Sequence, residues 1–275
     1  RFETKVLNTP SNSSHKQITV TSALRTGEFI ALANRTAGLF DDLTSNETDG
    51  VKQTHLIMQS LDKSLRSVGA SLQDSIKLES YYFGTSRKEW APLAKARADY
   101  FKEPGPPATA IPYNDIRPYG SKTKVGALAM RELRNTYDKY IPREDSWPPR
   151  VWDWQLNLPW RQAQKLRDMV WLGGQVPAEP FSNTGKRMFP GELLPQTRFT
   201  MSYVEDLLRP FNCKTSDIKL LVCYFQKSDD ENIISQMLEL LRNCCGGVLP
   251  PITLIPVPHM QTPDSTVEIW GVVQS

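Results

Sequence analysis

Residues 74–83 read DSIKLESYYF, and residues 216–225 read SDIKLLVCYF. The two stretches align at a single offset, which pairs Ile76-Lys77-Leu78 with Ile218-Lys219-Leu220 and Tyr82-Phe83 with Tyr224-Phe225. Further matches keep the same order along the chain, with Gln53-Thr54 against Gln196-Thr197 and Pro106-Pro107 against Pro250-Pro251. This spacing is far too long for a solenoid repeat. The sequence therefore predicts two copies of one domain.

The boundary between the copies is predicted in residues 138–149, which read DKYIPREDSWPP. This stretch is polar and rich in proline, as linkers between domains are. A chain of 275 residues fits either one large domain or two of ordinary size. The repeat favours two domains, residues 1–143 and residues 144–275.

Each copy carries the same predicted order of strands and helices. Apolar residues recur at helical spacing over 51–69 and 87–101 in copy one, and over 192–209 and 229–243 in copy two. Runs rich in β-branched and aromatic residues predict strands around these helices, at 16–24, 28–33, 76–83, 108–112 and 123–130, and at 162–167, 169–173, 218–225, 249–257 and 266–273. The order β-β-α-β-α-β-β places both helices on one face of a mixed sheet, an α+β arrangement. The opposite face then needs cover from another domain or another chain.

The composition is that of a globular protein that binds neither nucleic acid nor membrane. Hydrophobic residues make up 39% and charged residues 23% of the chain, which argues against disorder. The 33 basic and 30 acidic residues leave a net charge of only +3, too small an excess to indicate a polyanionic partner. No stretch approaches the roughly 20 apolar residues that a membrane span needs.

Cysteine and histidine usage gives no sign of a metal site or a disulfide framework. The 4 cysteines all lie in the last third of the chain and form no C-x-x-C pair, and the chain has only 3 histidines. No phosphate-binding loop is present either, so we expect no metal and no cofactor. Clustered free thiols indicate a reducing compartment, and we predict a cytoplasmic location.

Motifs at both ends of copy two resemble those of the RidA family, also called YjgF. Residues 168–177 read DMVWLGGQVP and residues 267–269 read VEI, where family members read G-D-x-V-F-V-S-G-Q-x-P and V-E-I. Copy one resembles the family at residues 26–30, TGEFI, and at residues 68–72, VGASL. The resemblance covers nearly the whole chain, once per copy. It implies two tandem chorismate-mutase-like (RidA-type) domains, in which sheets pack in threes and pockets lie between neighbours.

The resemblance also implies a chemistry. Free RidA proteins hydrolyse reactive enamine and imine intermediates to a keto acid and ammonia. An arginine after the proline-rich run, in a P-A-R sequence, holds the substrate carboxylate, a task that suits the planar guanidinium fork. A glutamate in the last strand, together with a water molecule, is the proton handler of the family.

Copy two keeps most of these positions. Glu268 keeps the glutamate, Gly174 and Gln175 keep the glycine and glutamine, Trp160 replaces a tyrosine, and Thr253 replaces the arginine. We predict that Glu268 is the catalytic general acid/base, because a desolvated carboxyl acquires a raised pKa. Gly174, Gln175, Thr253 and Trp160 are predicted to bind the substrate.

Copy one has lost most of the site. Its P-A-R position reads Pro107-Ala108-Thr109, Gly126 is aligned with the glutamate, and Arg35 replaces the glutamine. We predict that Arg35 binds substrate by supplying the missing guanidinium from across an interface. A solvated arginine at a strand end is the competing interpretation.

Two classes of function follow from this pattern. In the first, the protein is an enzyme that hydrolyses or tautomerises a small enamine, imine or related unsaturated acid; a chorismatase-like hydrolase is a weaker variant, since chorismatases also carry tandem domains of this kind. In the second, it is a non-catalytic protein that binds a small metabolite or assists assembly, because the arginine is absent from both copies. In either case the expected partner is a small molecule, and we predict a homotrimer as the simplest closed assembly.

Overall fold

A computed structural model describes residues 2–9, 16–37, 47–117, 120–134 and 137–275 of the chain, with the side chains of residues 2–20 and 133–139 excepted. Within these ranges, no helix is both long and apolar enough to cross a membrane. All 4 cysteines fall within them and are free thiols.

Copy one forms a mixed sheet with two helices. Its strands are β1 (Phe2–Thr9), β2 (Lys16–Thr26), β3 (Phe29–Leu32), β4 (Ser75–Tyr82), β5 (Ala108–Pro112) and β6 (Thr123–Met130), and its helices are α1 (Gly50–Ser67) and α2 (Arg87–Ala98). The strands lie in the order β1-β2-β3-β6-β4-β5. Among the described strands of this sheet, only β4 and β5 run parallel, and β5 lies at the edge of the sheet beside β4.

Local capping fixes where the helices of copy one begin. The Asp49 carboxylate accepts hydrogen bonds from the backbone N–H groups of Val51 and Lys52 at the start of α1. At the start of α2, Ser86 and Glu89 form a capping box, in which each side chain accepts from the backbone of the other end of the turn. The start of α2 in turn decides which of its residues face the sheet.

Copy two repeats this arrangement after a short hairpin of β7 (Glu132–Arg134) and β8 (Tyr137–Lys139). Its strands are β9 (Glu144–Ser146), β10 (Ala163–Leu166), β11 (Met169–Leu172), β12 (Ile218–Gln226), β13 (Ile252–Val257) and β14 (Val267–Gln274), and its helices are α3 (Leu193–Leu208) and α4 (Ile233–Cys244). The order β9-β10-β11-β14-β12-β13 matches that of copy one strand for strand. Here too the edge pair, β12 and β13, is the parallel one.

Three apolar cores hold the molecule together. One lies between α1, α2 and the first sheet, around Leu61 and Leu78, and another lies between α3, α4 and the second sheet, around Leu207. The third lies between the two sheets and includes Ile76 from copy one and Trp270 from copy two. The predicted α+β fold, with two helices on one face of each mixed sheet, is confirmed. The opposite faces cover each other within one chain.

Relative to the sequence match, strand pairing shifts the alignment of the two copies by one residue between β4 and β12 and by two residues between β6 and β14. Tyr81 lies opposite Lys124, just as Tyr224 lies opposite Glu268. The counterpart of Glu268 in copy one is therefore Lys124, and the alignment of Gly126 with this glutamate is wrong. The similar letters of β4 and β12 match one step away from the structural register, and a one-residue step moves a side chain to the other face of the sheet.

Candidate functional site

A cavity of about 230 Å³ lies between the two copies. Copy one contributes residues along α2, from Arg87 to Arg97, and the start of β5. Copy two contributes three tryptophans from the segment before β10, the residues that follow β11, and Glu268 of β14. The cavity therefore exists only because the two domains pack together.

Backbone hydrogen bonds join the copies along one wall of the cavity. The N–H of Gly174 donates to the carbonyl of Ala108 over 2.9 Å, and the N–H of Gly105 donates to the carbonyl of Pro159 over 2.7 Å. A Cβ atom on Gly174 would lie 1.9 Å from Glu268 Oε1 and 2.9 Å from Thr109 Oγ1. Glycine is thus required at this position, because its backbone lies directly against both oxygens.

The Glu268 side chain is buried, with 7% relative exposure, and lines the cavity. Burial raises the pKa of this carboxyl from 4.5 to about 7, while the charge of Lys77, a hydrogen bond that the carboxyl accepts from the backbone of Ala110, and the charge of Arg187 act in the opposite direction. Both protonation states are consequently accessible near neutral pH. This is the property that a general acid/base requires.

Two buried arginines line the same cavity. Arg97, on α2 of copy one, is 3% exposed, and Arg187, in the loop after β11, is 6% exposed. Burial lowers the pKa of the Arg97 guanidinium to about 10 and lowers that of Arg187 as well. Among the described residues, no acceptor bonds Arg97 Nη1 or Arg187 Nε; Arg187 Nη1 donates to the Gly185 carbonyl over 2.8 Å.

The remaining unpaired polar atoms of the cavity wall are also mostly donors. Trp90 Nε1, Trp152 Nε1 and Thr262 Oγ1 are buried and have no hydrogen-bond partner among the described residues. Indole and guanidinium nitrogens donate and cannot accept. A buried donor without a partner is costly, so this wall is suited to a ligand rich in acceptor oxygens, such as a carboxylate.

Lys77 lies behind the wall, at the junction of the domains. Its ammonium group donates to Thr109 Oγ1 over 2.6 Å and to the Leu172 carbonyl over 3.0 Å, and lies 4.4 Å from the centre of the Trp270 ring. Burial lowers the pKa of Lys77 from 10.5 to about 7, against the opposing charges of Glu79 and Glu268. A buried cation thus lies next to the candidate acid/base group.

Of the residues predicted from the sequence, Glu268, Gly174 and Trp160 come together at the cavity. Trp160 is 2% exposed and packs edge-on against Phe101, with 5.2 Å between ring centres. Gln175 is buried next to Gly174, where its amide donates to Gln162 Oε1 over 2.8 Å, and it is not among the lining residues. Its backbone pairs with Ile269.

Thr253 and Arg35 lie away from the cavity. Thr253 is exposed on β13. Arg35 is buried in copy one, where its guanidinium donates to the carbonyl and hydroxyl of Ser60, both over 2.6 Å, and to Ser64 Oγ over 2.7 Å. It is therefore neither solvated nor directed across the domain interface. Within the described ranges, no group of three or more His, Cys, Asp and Glu side chains is arranged to hold a metal ion.

Thr109, Arg97 and Arg187 are among the cavity residues that were not predicted as site residues. Thr109 was identified only as the residue that replaces the family arginine in copy one. Arg97 has a signal in the sequence, because it continues the apolar stripe of Trp90, Leu93 and Ala94 at helical spacing, where a charge is out of place. Arg187 has none, because its loop follows no period.

No protein-family profile matches this chain, and no curated protein matches it either. Among solved structures, a chorismatase matches with a TM-score of 0.64 and 16% identity, over 91% of this chain and 76% of its own. A Rid-family protein of unknown function from Yersinia pestis matches with a TM-score of 0.41 and 17% identity, over 49% of this chain and 100% of its own. TdcF from E. coli, with bound serine, matches with a TM-score of 0.40 and 19% identity, over 48% of this chain and 98% of its own.

The chorismatase match spans both halves of the chain, and the sheet order is the same in the two halves. The chain has a tandem RidA-type fold.

Proposed function

We propose that the protein is an enzyme that acts on a small unsaturated acid of the enamine or imine type, with Glu268 as general acid/base. The observation that carries this proposal is the position of the Glu268 carboxyl in a cavity that two buried arginines also line, one of which has no acceptor for its Nη1 among the described residues. Arg97 and Arg187 take over the role of the arginine that both copies lack. Their guanidinium groups can bind the carboxylate of such a substrate.

For an imine, the reaction is hydrolysis to a keto acid. Glu268 as carboxylate removes a proton from water, whose oxygen bonds to the carbon of the C=N group. The protonated Glu268 then returns that proton to the nitrogen, which gives a carbinolamine, C(OH)–NH2. Glu268 next accepts the proton of this hydroxyl and passes it to the amino nitrogen, the C–N bond breaks as the C=O bond forms, and ammonia leaves. One group performs these transfers because its two protonation states are close in free energy near pH 7.

The decisive experiment compares wild type with Glu268→Gln in the hydrolysis of 2-aminoacrylate released in situ by a serine-dehydrating enzyme. We expect the rate above spontaneous hydrolysis to fall by about 100-fold or more, the usual contribution of a general acid/base. Glu231→Gln, at an exposed position before α4, is the matched control. Equal background rates for wild type and Glu268→Gln would contradict this activity, and keto-acid binding that persists in both would favour the non-catalytic binding protein.

A chorismatase-like hydrolase is the second candidate. The observation that favours it is the pair of buried arginines, since chorismate carries two carboxylates, and the matching chorismatase has the same tandem fold. Release of pyruvate from chorismate by wild type, and its loss in Glu268→Gln, would indicate that chorismate, and not an imine, is the substrate.

We also propose that the protein assembles as a homotrimer. The support comes from β13, an edge strand with an exposed side, whereas its counterpart β5 is covered by copy two. Light scattering should give about three times the chain mass of 31.2 kDa. A monomer in solution would contradict the proposal.

The cytoplasmic location remains a prediction as well. Its support is that all 4 cysteines are free thiols, and three of them are buried. Fractionation of cells that express a tagged protein would test it, and recovery in a secreted fraction would contradict it.

A further inference from the structure

The cavity between the copies runs along the helix α2. Arg87, Trp90 and Arg97 all line it, and their spacing places them on one face of the helix. Trp90 and Arg97 are separated by two turns, so their Cα atoms lie about 10.5 Å apart along the axis at a rise of 1.5 Å per residue. The carbon chain of a three-carbon acid is shorter than one helical turn of about 5.4 Å. Such an acid therefore fills only part of this length.

Both ends of this helix face carry donors. Arg97, at one end, is the group proposed to bind the substrate carboxylate. Trp90, at the other end, is 7% exposed, and its indole N–H has no acceptor among the described residues. Arg87 lies one turn before Trp90, is half-buried, and forms no ion pair within the described ranges. Helical side chains all lean toward the N-terminus, so the two ends stay apart, and a carboxylate bound at Arg97 leaves the donors of the other end unpaired.

Packing does not require an indole at this place. Three buried residues of α4 in copy two repeat the spacing of Trp90, Leu93 and Ala94, with Met237 at the place of Trp90. An unbranched apolar side chain thus fills this position in the same fold without a buried N–H group. A buried donor that lacks an acceptor is costly, so the N–H group of Trp90 is best explained by a ligand that pairs with it.

Copy two adds further donors to the same cavity. Trp152 Nε1 and Thr262 Oγ1 are buried and have no hydrogen-bond partner among the described residues. One carboxylate has only two oxygen atoms, close together, and cannot accept from donors that are two helical turns apart. The ligand that fits this wall therefore carries a second acceptor group, away from the first.

We propose that the substrate of this site is a dicarboxylate, a 2-imino acid whose side chain ends in a second carboxylate that Trp90 and Arg87 bind. The indole N–H donates to this distal carboxylate, and the Arg87 guanidinium supplies the charge that pairs with it. Both residues determine specificity and take no part in the proton transfers. The inference rests on the proposed function, since it names the class of acid that the Glu268 cavity takes.

The test compares two stable keto acids of equal chain length by isothermal titration calorimetry, each in place of a reactive imine. 2-Oxoadipate ends in a carboxylate, and 2-oxohexanoate ends in a methyl group. We expect wild type to bind 2-oxoadipate about 10-fold more tightly or better, because a hydrogen bond to a charged group contributes at least that factor. Equal or tighter binding of 2-oxohexanoate would overturn the proposal, because the Trp90 end would then be an apolar pocket.

Two variants locate the distal carboxylate. Trp90→Phe keeps an aromatic ring and removes the N–H donor, and Arg87→Met removes the charge at a half-buried position, where the fold tolerates substitution. Each should weaken the binding of 2-oxoadipate by about 5- to 10-fold and leave that of 2-oxohexanoate unchanged. Lys88→Met removes an exposed charge next to Arg87 and should change neither affinity.

The outcomes separate this inference from the proposed function. If both variants keep the wild-type preference for 2-oxoadipate, the distal carboxylate is not bound by Trp90 and Arg87, and the inference is wrong whether or not the protein is an enzyme. Turnover of 2-aminoacrylate by a wild type that does not prefer 2-oxoadipate would contradict the inference alone. If wild type binds neither keto acid and has no turnover, the proposed function and the inference both fail.

Discussion

Thr109 and Thr253 occupy the same position in the two copies, and their surroundings are opposite. Each is the second residue of the edge strand, β5 or β13, where the alignment with the RidA family places an arginine. Thr109 is buried at 2% exposure and lines the cavity, whereas Thr253 is exposed. The difference arises because copy two packs over β5, through Gly174, while within the described ranges nothing packs in the same way over β13.

The comparison shows that a site of this fold combines residues of two neighbouring domains. Glu268 of copy two is completed by Thr109, Arg97 and Lys77 of copy one, and not by Thr253 of its own copy. Under the proposed function, the guanidinium groups of Arg97, on helix α2, and of Arg187 take the place of the arginine that both copies lack. Loss of the family motif in each copy therefore does not mean loss of positive charge at the site.

The largest effect that would test this division of the site concerns Arg97. Arg97→Met should weaken the binding of pyruvate, a small keto acid, by about 30-fold, because a charged hydrogen bond contributes about 2 kcal/mol. The melting temperature should stay unchanged or rise, since the variant removes a buried and incompletely paired charge. Isothermal titration calorimetry and thermal unfolding measure the two quantities.

Lys95→Met is the control for Arg97, because it removes an exposed positive charge from the same helix. It should leave pyruvate binding unchanged. Equal affinity of wild type and Arg97→Met for pyruvate would show that α2 of copy one does not contribute to binding. It would contradict the view that the site combines residues of both copies.

A second test concerns the stability cost of burying the Glu268 carboxyl between the two copies. The pKa of Glu268 is raised from 4.5 to about 7 in the folded protein, so the folded state holds a proton that the unfolded state releases between these values. The free energy of unfolding therefore falls as the pH rises through this window, and the cost is fully present above pH 7. Glu268→Gln should be more stable than wild type at pH 8 by about 3 kcal/mol, and nearly equal to it at pH 4.5.

Urea denaturation at the two pH values measures this difference, with Glu231→Gln as the exposed control. A stability difference for Glu268→Gln that does not change with pH would show that the carboxyl is not buried in a shifted state. In that case neither copy would hold a buried carboxyl with a raised pKa at this position.

The smallest effect gives the sharpest comparison, because it makes the same change in both copies. Thr109→Val should weaken pyruvate binding by about 5-fold, the effect of one neutral hydrogen bond of about 1 kcal/mol. Thr253→Val, at the exposed counterpart, should have no effect. Equal losses in the two variants would mean that β13 also contributes to a site, for instance at a contact between chains.

Much of the fold was predictable because its periodicities are local. The apolar spacing located both helix pairs, and β5 and β6 occur at the predicted residues 108–112 and 123–130. The short strand β9 and the hairpin of β7 and β8 were not predicted, because three residues are too few to show a period. The alignment of Gly126 with Glu268 was off by two residues, because the offset taken from the similar letters of β4 and β12 does not hold for β6 and β14.

The site was predictable only in part. Glu268, Gly174 and Trp160 follow from motifs and line the cavity, whereas Thr253 and Arg35 carry the expected residue types at positions that the packing directs elsewhere. Arg97 and Lys77 lie on copy one, which the motifs describe as degenerate. Their contribution depends on which surface of copy one faces copy two.

By itself the sequence determined that this chain is a duplicated α+β domain, because hydrophobic period, capping residues and repeated motifs act over short stretches of chain. Only the tertiary structure decided which copy supplies which part of the cavity. Burial is a property of two surfaces in contact. Burial shifts the pKa values of Glu268 and Lys77, and it leaves Arg97 Nη1 without a partner among the described residues. No single stretch of sequence contains that information.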